Sequence, residues 1–333
     1  MKKLFLIIVF VNTLLVAQKS DFKNINLSKA DKIALQYKNA SLQNLPVLAN
    51  KLTRQFSTDI EKFRAIYFWV CNNIKSDYAT TTKILNKGRK LRAKRSEFLN
   101  WNKTYKEKAF KKLFKTKATI CTGYAFLLRE LCSLAKIKCV IVNGFYKGAD
   151  FNSKKAFPNH SWNVVLLNNK WYLCDATLAS GYFDIDLNTF IFDYNDGYFL
   201  TPPSLFANNH FPENKKWTLL PSNNYNFTEF TEFPYTYSAT FKHGITPVLP
   251  EKLTLKTTIH QPVLFSLNIK EDKIKDINIT TYNGWKTKNN TPLKYTYNNN
   301  RMSFTHSFIK KGIYDVHIKV AKDIITTYTI EVI

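Results

Sequence analysis

No Cys-x-x-Cys pair occurs among the five cysteines, Cys71, Cys121, Cys132, Cys139 and Cys174, so the spacing that builds structural zinc sites is missing. The chain also lacks a glycine-rich phosphate loop, paired carboxylates and a cluster of metal-ligand residues; neither a cofactor nor a metal is expected. Acidic residues are scarce: 24 Asp and Glu against 49 Lys and Arg give a formal net charge of +25. Such an excess favours acidic surfaces or polymers and carries no information about fold. No DNA- or RNA-recognition motif accompanies it, which argues against nucleic acid as a partner. After the first residues nothing approaches the run of about twenty apolar residues that spans a bilayer, so no transmembrane span is expected in the mature chain. No internal repeat is detectable.

What is present fits a globular protein. A length of 333 residues suggests two domains. Hydrophobic residues make up 45% and aromatic residues 15%, enough for a core and unlike a disordered chain. Residues 1–18 read as an export signal: basic Lys2 and Lys3, an apolar stretch from Leu4 to Val16, and Ala17 for cleavage. The expected location is therefore secreted, periplasmic or at the cell envelope. No cysteine follows the apolar stretch, which argues against a lipoprotein anchor; the alternative is an uncleaved N-terminal anchor.

Residues 19–220 and 221–333 differ in pattern. Residues 28–56 look helical, with Asn44 and Pro46 suited to starting a second helix. Thr58 and Glu61 form a capping-box signature, and Phe63, Ile66, Tyr67, Val70 and Ile74 recur at helical spacing as core. Segment 83–117 carries fourteen Lys or Arg against Glu97 and Glu107. It reads either as a solvated insertion or as a basic lid that recruits an acidic substrate, such as an envelope polymer. From about Leu219 the helical pattern stops. Alternating runs at 253–259, 263–269, 277–282, 293–297, 301–306, 314–320 and 324–332, separated by turns such as Asn283-Gly284 and Lys311-Gly312, suggest an Ig-like β-sandwich.

The chemistry concentrates between residues 119 and 175. Tyr124, Leu127, Leu128, Leu131 and Leu134 share a helical face, which puts Cys121 at a helix N-terminus. Unpaired N–H groups and the helix dipole there favour a thiolate, the reactive form of cysteine. Cys121 and Cys132 lie on that same helix, roughly 16 Å apart along its axis, which excludes a disulfide between them. After a strand at 139–145, residues 160–167 and 170–175 read as a hairpin around Asn168-Asn169. With that two-residue turn Leu167 faces Lys170, and His160 and Asp175 become diagonal neighbours on one face. Cys174 then points away. A one-residue slip would send Asp175 to the other face. In this register His160 takes the thiol proton, Asp175 orients the ring, and the Cys121 N–H is an oxyanion donor. Trp69, Trp162 and Asn163 are guesses for the second donor. His210, His243, His260, His306 and His317 are read as structural.

Three stretches resemble the transglutaminase-like superfamily: Cys121-Thr122-Gly123-Tyr124-Ala125, His160-Ser161-Trp162-Asn163, and Trp171 through Thr177. The run from Ala65 to Asp77-Tyr78 is similar to the element that precedes the nucleophile in that family. The downstream run Tyr198 to Pro203, then His210-Phe211-Pro212 and Trp217, is similar to the kyphoscoliosis peptidase-like branch. The resemblance covers roughly residues 45–220. It implies an α+β fold: a papain-like core with a helical N-terminal part and a nucleophile helix packed on an antiparallel sheet. It also implies a Cys–His–Asp triad, which by position is Cys121, His160 and Asp175. Leu178 stands where the family has Trp after Thr, so an aromatic wall of the cleft is expected to be missing.

The function expected from this is a thiol enzyme that hydrolyses or transfers protein or peptide amides through a thioester. The alternatives are a catalytically silent scaffold at the envelope and a hydrolase of envelope polymer cross-links.

Overall fold

A computed structural model describes residues 18–148, 151–221, 225–269, 277–284 and 288–333. The export-signal reading falls, apart from Gln18, outside the described residues. No described helix is long and apolar enough to cross a membrane.

Three helices open the chain: α1 (Ser28–Gln36), α2 (Leu45–Thr53) and α3 (Asp59–Asn73). Asn44 caps α2 by accepting the Val47 N–H, with Pro46 in the first turn, where a missing N–H costs nothing. Thr58 caps α3 by accepting the Glu61 N–H. The second half of the expected capping box differs, because the Thr58 hydroxyl donates to the Glu61 carboxylate. The α3 stripe is core throughout: Phe63, Ile66, Tyr67, Trp69 and Val70 are all at 0% exposure. Each such side chain contributes about 1.5–3 kcal/mol on burial.

A two-residue strand β1 (Lys75–Ser76) leads into α4 (Tyr78–Lys90) and α5 (Arg95–Thr116). Strand β2 (Ala118–Thr119) then pairs in parallel with β1. The basic segment is thus a helical hairpin. Lys83 lies over the Tyr105 ring and Lys87 over Trp101, at 5.1 and 5.7 Å, which aligns the two helices antiparallel. Asp77 closes its base. It caps α4 through the Thr80 N–H, and its carboxylate takes Lys112 Nζ at 2.5 Å.

Helix α6 (Cys121–Leu134) follows. Tyr124, Leu127, Leu128 and Leu131 are fully buried, whereas Leu134, its last residue, is 45% exposed and leaves the expected stripe. The helix packs on strands β3 (Cys139–Tyr146) and β4 (His160–Leu167). Next come β5 (Lys170–Cys174), α7 (Ala176–Ser180), the hairpin β6 (Gly181–Asp184) and β7 (Thr189–Phe192), α8 (Pro203–Phe206) and β8 (His210–Pro212). The antiparallel sheet runs β5-β4-β3-β8. Asn168 and Asn169, with φ of 47° and 61°, make the tight turn that pairs Leu167 with Lys170.

The described residues beyond 221 form two short helices and two facing sheets. The helices, α9 (Phe227–Glu232) and α10 (Ser238–His243), precede the first alternating run at 253 and are not expected from the sequence, which reads as β-rich there. Each is six residues long, too short to show helical periodicity. The strands are β9 (Tyr235–Thr236), β10 (Thr246–Leu249), β11 (Thr254–Thr257), β12 (Val263–Asn268), β13 (Ile277–Asn283), β14 (Lys288–Pro292), β15 (Tyr295–Asn298), β16 (Arg301–His306), β17 (Gly312–Val320) and β18 (Asp323–Val332). One sheet is β10-β12-β16-β15; the other is β11-β18-β17-β13-β14, with β9 also on β18. Phe265, Met302, Ile318 and Tyr328 from the two sheets share one apolar cluster. The whole is α+β with a β-rich C-terminal part.

Candidate active site

Cys121 is the first residue of α6. Ile120 before it is extended and offers no side-chain cap, so the Cys121 and Thr122 N–H groups lack intrahelical acceptors, while the Gly123 N–H donates to the Ile120 carbonyl at 2.8 Å. Gly123 accepts no other side chain: a Cβ there would overlap the buried Thr119 side chain of β2. The close approach of β2 to the first turn of α6 fixes where the thiol emerges.

His160 begins β4, paired with Gly144 of β3. Asn159 holds the entry: its side chain accepts the Tyr146 N–H at 2.7 Å and donates to the Tyr146 carbonyl at 3.1 Å. His160 Nε2 lies 2.5 Å from Asp175 Oδ2. Cys121 and His160 line the same cleft, and each shifts the other's ionisation. The hairpin register therefore does bring His160 and Asp175 together. Cys174, by contrast, is buried with its thiol on the Asn163 carbonyl. All five cysteines are free.

Asp175 is wholly buried and fully occupied. Its Oδ1 caps α7 by accepting the Leu178 N–H at 3.0 Å, and its N–H donates to the Tyr198 carbonyl at 3.2 Å. Oδ2 serves a second imidazole: His210 Nε2 lies 3.1 Å away. His210 is 1% exposed and stacks on Phe206 at 3.8 Å, with Trp162 edge-on at 5.0 Å. From the sequence His210 reads as structural; it lies behind Asp175, out of the cleft, as a second donor to that carboxylate. Its only sequence signal was the family-like run at 210–212.

The electrostatics follow from this packing. Burial disfavours a charged His160 ring, but the Asp175 carboxylate and the Cys121 thiol outweigh it and raise its pKa to about 10. Burial would raise the Asp175 carboxyl; His160 and then His210 hold it far below the usual carboxylate range. The Cys121 thiol, which burial alone would raise, is brought below its ordinary value by His160 and by the Ser161 N–H. Burial pushes His210 down to about 4 against the pull of Asp175, so this ring is neutral and acts as an N–H donor.

His160, Asp175 and His210 offer ligand atoms within 4.8 Å of one another, a cluster the sequence reading did not anticipate. The same atoms already bond one another through one carboxylate oxygen, and a cation would have to break both contacts. The cluster reads as a hydrogen-bonding hub.

The three guesses for a second oxyanion donor are not placed for it. Trp69 Nε1 donates to the Tyr37 carbonyl and Asn163 Nδ2 to the Ala125 carbonyl. Trp162 is 1% exposed and does not line the cleft. The cleft itself encloses about 170 Å³ beside Cys121 and His160. Thr122, Ser161 and Asn143 form one wall, linked Thr122 Oγ1 to Ser161 Oγ at 3.3 Å and Ser161 Oγ to Asn143 Oδ1 at 2.8 Å. Helices α4 and α5 supply the other. The basic segment does cover the cleft, but the side chains it turns inward are chiefly Ile84, Leu85, Phe98 and Leu99. Leu178 packs on the main core, and the aromatic wall is supplied instead by Phe98 and Phe157.

Residues 46–176 match the family model of the transglutaminase-like superfamily. Kyphoscoliosis peptidase of Homo sapiens is 34% identical over 218 residues, 64% of this chain and 30% of that protein. Hillarin of Drosophila melanogaster is 24% identical over 235 residues, 66% of this chain and 26% of its own length. The Lim and transglutaminase domain protein ltd-1 of Caenorhabditis elegans is 30% identical over 137 residues, 37% of this chain and 19% of that one. The chain thus spans about a third or less of these curated relatives.

Proposed function

From a chain that belongs, through residues 46–176, to the transglutaminase-like superfamily and its kyphoscoliosis peptidase-like branch, we propose a thiol enzyme acting on protein or peptide amides, with Cys121, His160 and Asp175 as its triad. The observation that carries this is the His160–Asp175 contact of 2.5 Å, with Cys121 at a helix N-terminus lining the same cleft as His160. His160 takes the thiol proton. The thiolate adds to the amide carbonyl, and the N–H groups at the start of α6 stabilise the oxyanion. The tetrahedral intermediate collapses with cleavage of the C–N bond as His160 returns the proton to the departing amine, leaving a thioester on Cys121. Water, deprotonated by His160, then releases the acid, or an amine releases a new amide. The human and mouse relatives are named peptidases, which supports hydrolysis.

The test is to incubate the protein with a peptide-amide mixture, quench in acid and weigh the intact chain. An acyl mass increase on Cys121, absent in Cys121→Ala and accompanied by released amine, supports the proposal. Neither adduct nor amine under any pH tried would leave a scaffold. The exported location is part of the same proposal; N-terminal sequencing of protein from the producing cell tests it, an intact Met1 being the contrary result. The exposed Lys103, Lys108 and Lys111 of α5 support docking on an acidic polymer. Retention on immobilised polyglutamate that persists unchanged at high salt, or is absent at low salt, would contradict that part.

A further inference from the structure

One wall of the cleft, made by Thr122, Ser161 and Asn143, is polar. The other comes from a lysine-rich segment, yet apart from Arg95 and Asn102 of α5 it is apolar. Ile84 and Leu85 come from α4, Phe98 and Leu99 from α5, and Phe157 and Pro158 from the loop ahead of β4. The hairpin is fitted to this position. Gly88 of α4 lies so close to the Phe157 ring that a Cβ would sit 2.6 Å from Cε2. Phe98 meets the same ring edge-on at 6.0 Å. The charged groups lining the cleft, besides the Cys121–His160 pair, are Arg95 and Glu213, and these face each other at 3.4 Å. The cleft wall is therefore close to neutral although the chain carries +25.

We infer that the α4–α5 hairpin forms a binding pocket for one apolar side chain of the acyl donor, next to the carbonyl presented to Cys121. The inference rests on the thiol-enzyme reading of that site and names its substrate class. A volume of about 170 Å³ is room for a single large side chain, well short of the roughly 300 Å³ at which pockets for whole small molecules begin. Polar partners on one wall suit the amide; carbon on the other suits an aliphatic or aromatic group. A carboxylate or ammonium seated there would lose water and gain no unpaired counter-charge. Leu99 remains 49% exposed, as a rim residue waiting for a cover would be. The lysines of the hairpin then act at its outer surface and do not choose the side chain.

Matched chloromethyl ketones of N-acetyl-leucine, N-acetyl-phenylalanine, N-acetyl-aspartate and N-acetyl-lysine test this. Each alkylates Cys121 by displacing chloride, and its rate is normalised to its rate with free cysteine. The leucyl and phenylalanyl reagents should be faster than the aspartyl and lysyl reagents by about tenfold to a hundredfold, the range a hydrophobic pocket achieves. In Leu99→Glu, a half-exposed position, the ratio should swing toward the lysyl reagent by about tenfold. Equal rates, or an aspartyl reagent in front, would overturn the pocket assignment. Iodoacetamide, which has no side chain to seat, separates the two ideas. Its pH profile judges the Cys121–His160 pair, whereas the ranking of the ketones judges the pocket whether or not that pair is assembled.

Discussion

Asp175 Oδ2 accepts from two imidazoles, and the two differ in charge. His160 is held protonated up to about 10 while His210 stays neutral to about 4. His210 therefore contributes an N–H and no charge, and its role is to position the carboxylate. His210→Phe keeps the stack on Phe206 and removes that N–H. A hydrogen bond to a charged group contributes about 1.5–3 kcal/mol, and the melting temperature should drop accordingly. With one fewer donor on Asp175, the acid edge of Cys121 reactivity should move to higher pH. His210→Gln, which restores a donor, should recover part of both. An unchanged pH edge in the Phe variant would reduce His210 to packing.

The same residues set a pH dependence of stability. Unfolded, a histidine titrates near 6.5 and a cysteine near 8.5; folded, His160 is raised to about 10 and Cys121 is lowered. The raised His160 contributes stability fully below about 6.5 and loses it as pH climbs toward 10. The lowered Cys121 contributes above about 8.5 and loses it as pH falls through its folded value. Between about 6.5 and 8.5 the folded and unfolded pairs each hold one proton, so the slopes cancel. In Cys121→Ala only the falling histidine limb remains. The melting temperature of the wild type minus that of the variant should climb with pH to about 8.5 and then level. A difference independent of pH would mean that the thiol is not held as a thiolate. His160 and Asp175 were legible in the sequence because Asn168-Asn169 leaves the hairpin one comfortable register. His210 was not, because it reaches Asp175 from a three-residue strand, 35 positions away, with no periodicity to mark it.

The α4–α5 hairpin shows the opposite kind of loss. Its charge was plain in the sequence and its inner face was not. Phe98, Asn102, Tyr105, Ala109 and Leu113 do recur at helical spacing on α5, but two of the five are polar and lysines fill the positions between. Of this stripe Phe98 and Asn102 line the cleft, while Leu113 is buried in the main core. Gly88 is where the element meets the cleft. Alanine there gains about 1 kcal/mol of helix propensity, but overpacking costs about 1–3 kcal/mol. The contact is with the far edge of a ring that can swing, so the lower end of the cost applies. Gly88→Ala should change the melting temperature little and displace Phe157 toward the cleft. Alkylation by the phenylalanyl ketone should slow more than alkylation by iodoacetamide. Equal slowing of both would show that α4 does not shape the cleft.

Across the whole molecule, the β-rich C-terminal part meets the core close behind the site. Phe241 of α10 stacks on Tyr198 at 4.3 Å, both 1% exposed. The Tyr198 carbonyl in turn accepts from the Tyr67 hydroxyl at 3.0 Å and from the Asp175 N–H at 3.2 Å. Packing of the C-terminal part is thus one residue removed from the anchor of the carboxylate. Phe241→Ala should cost about 3–5 kcal/mol and should lower Cys121 reactivity even where the protein remains folded. A stability loss with reactivity intact would mean that the C-terminal part acts only as ballast. Seven of the ten described strands of this part were readable from their alternation, β9, β10 and β14 being the exceptions, whereas its contact with the core was not, since α9 and α10 are single short helices defined by caps such as Asn226 with Glu229.

Whether Cys121 and His160 act as one ion pair is read from the pH dependence of Cys121 alkylation by iodoacetamide. The pair gives reactivity already developed well below the ordinary cysteine value of about 8.5, and loses it in His160→Ala. An ordinary profile, the same in the variant, would contradict it.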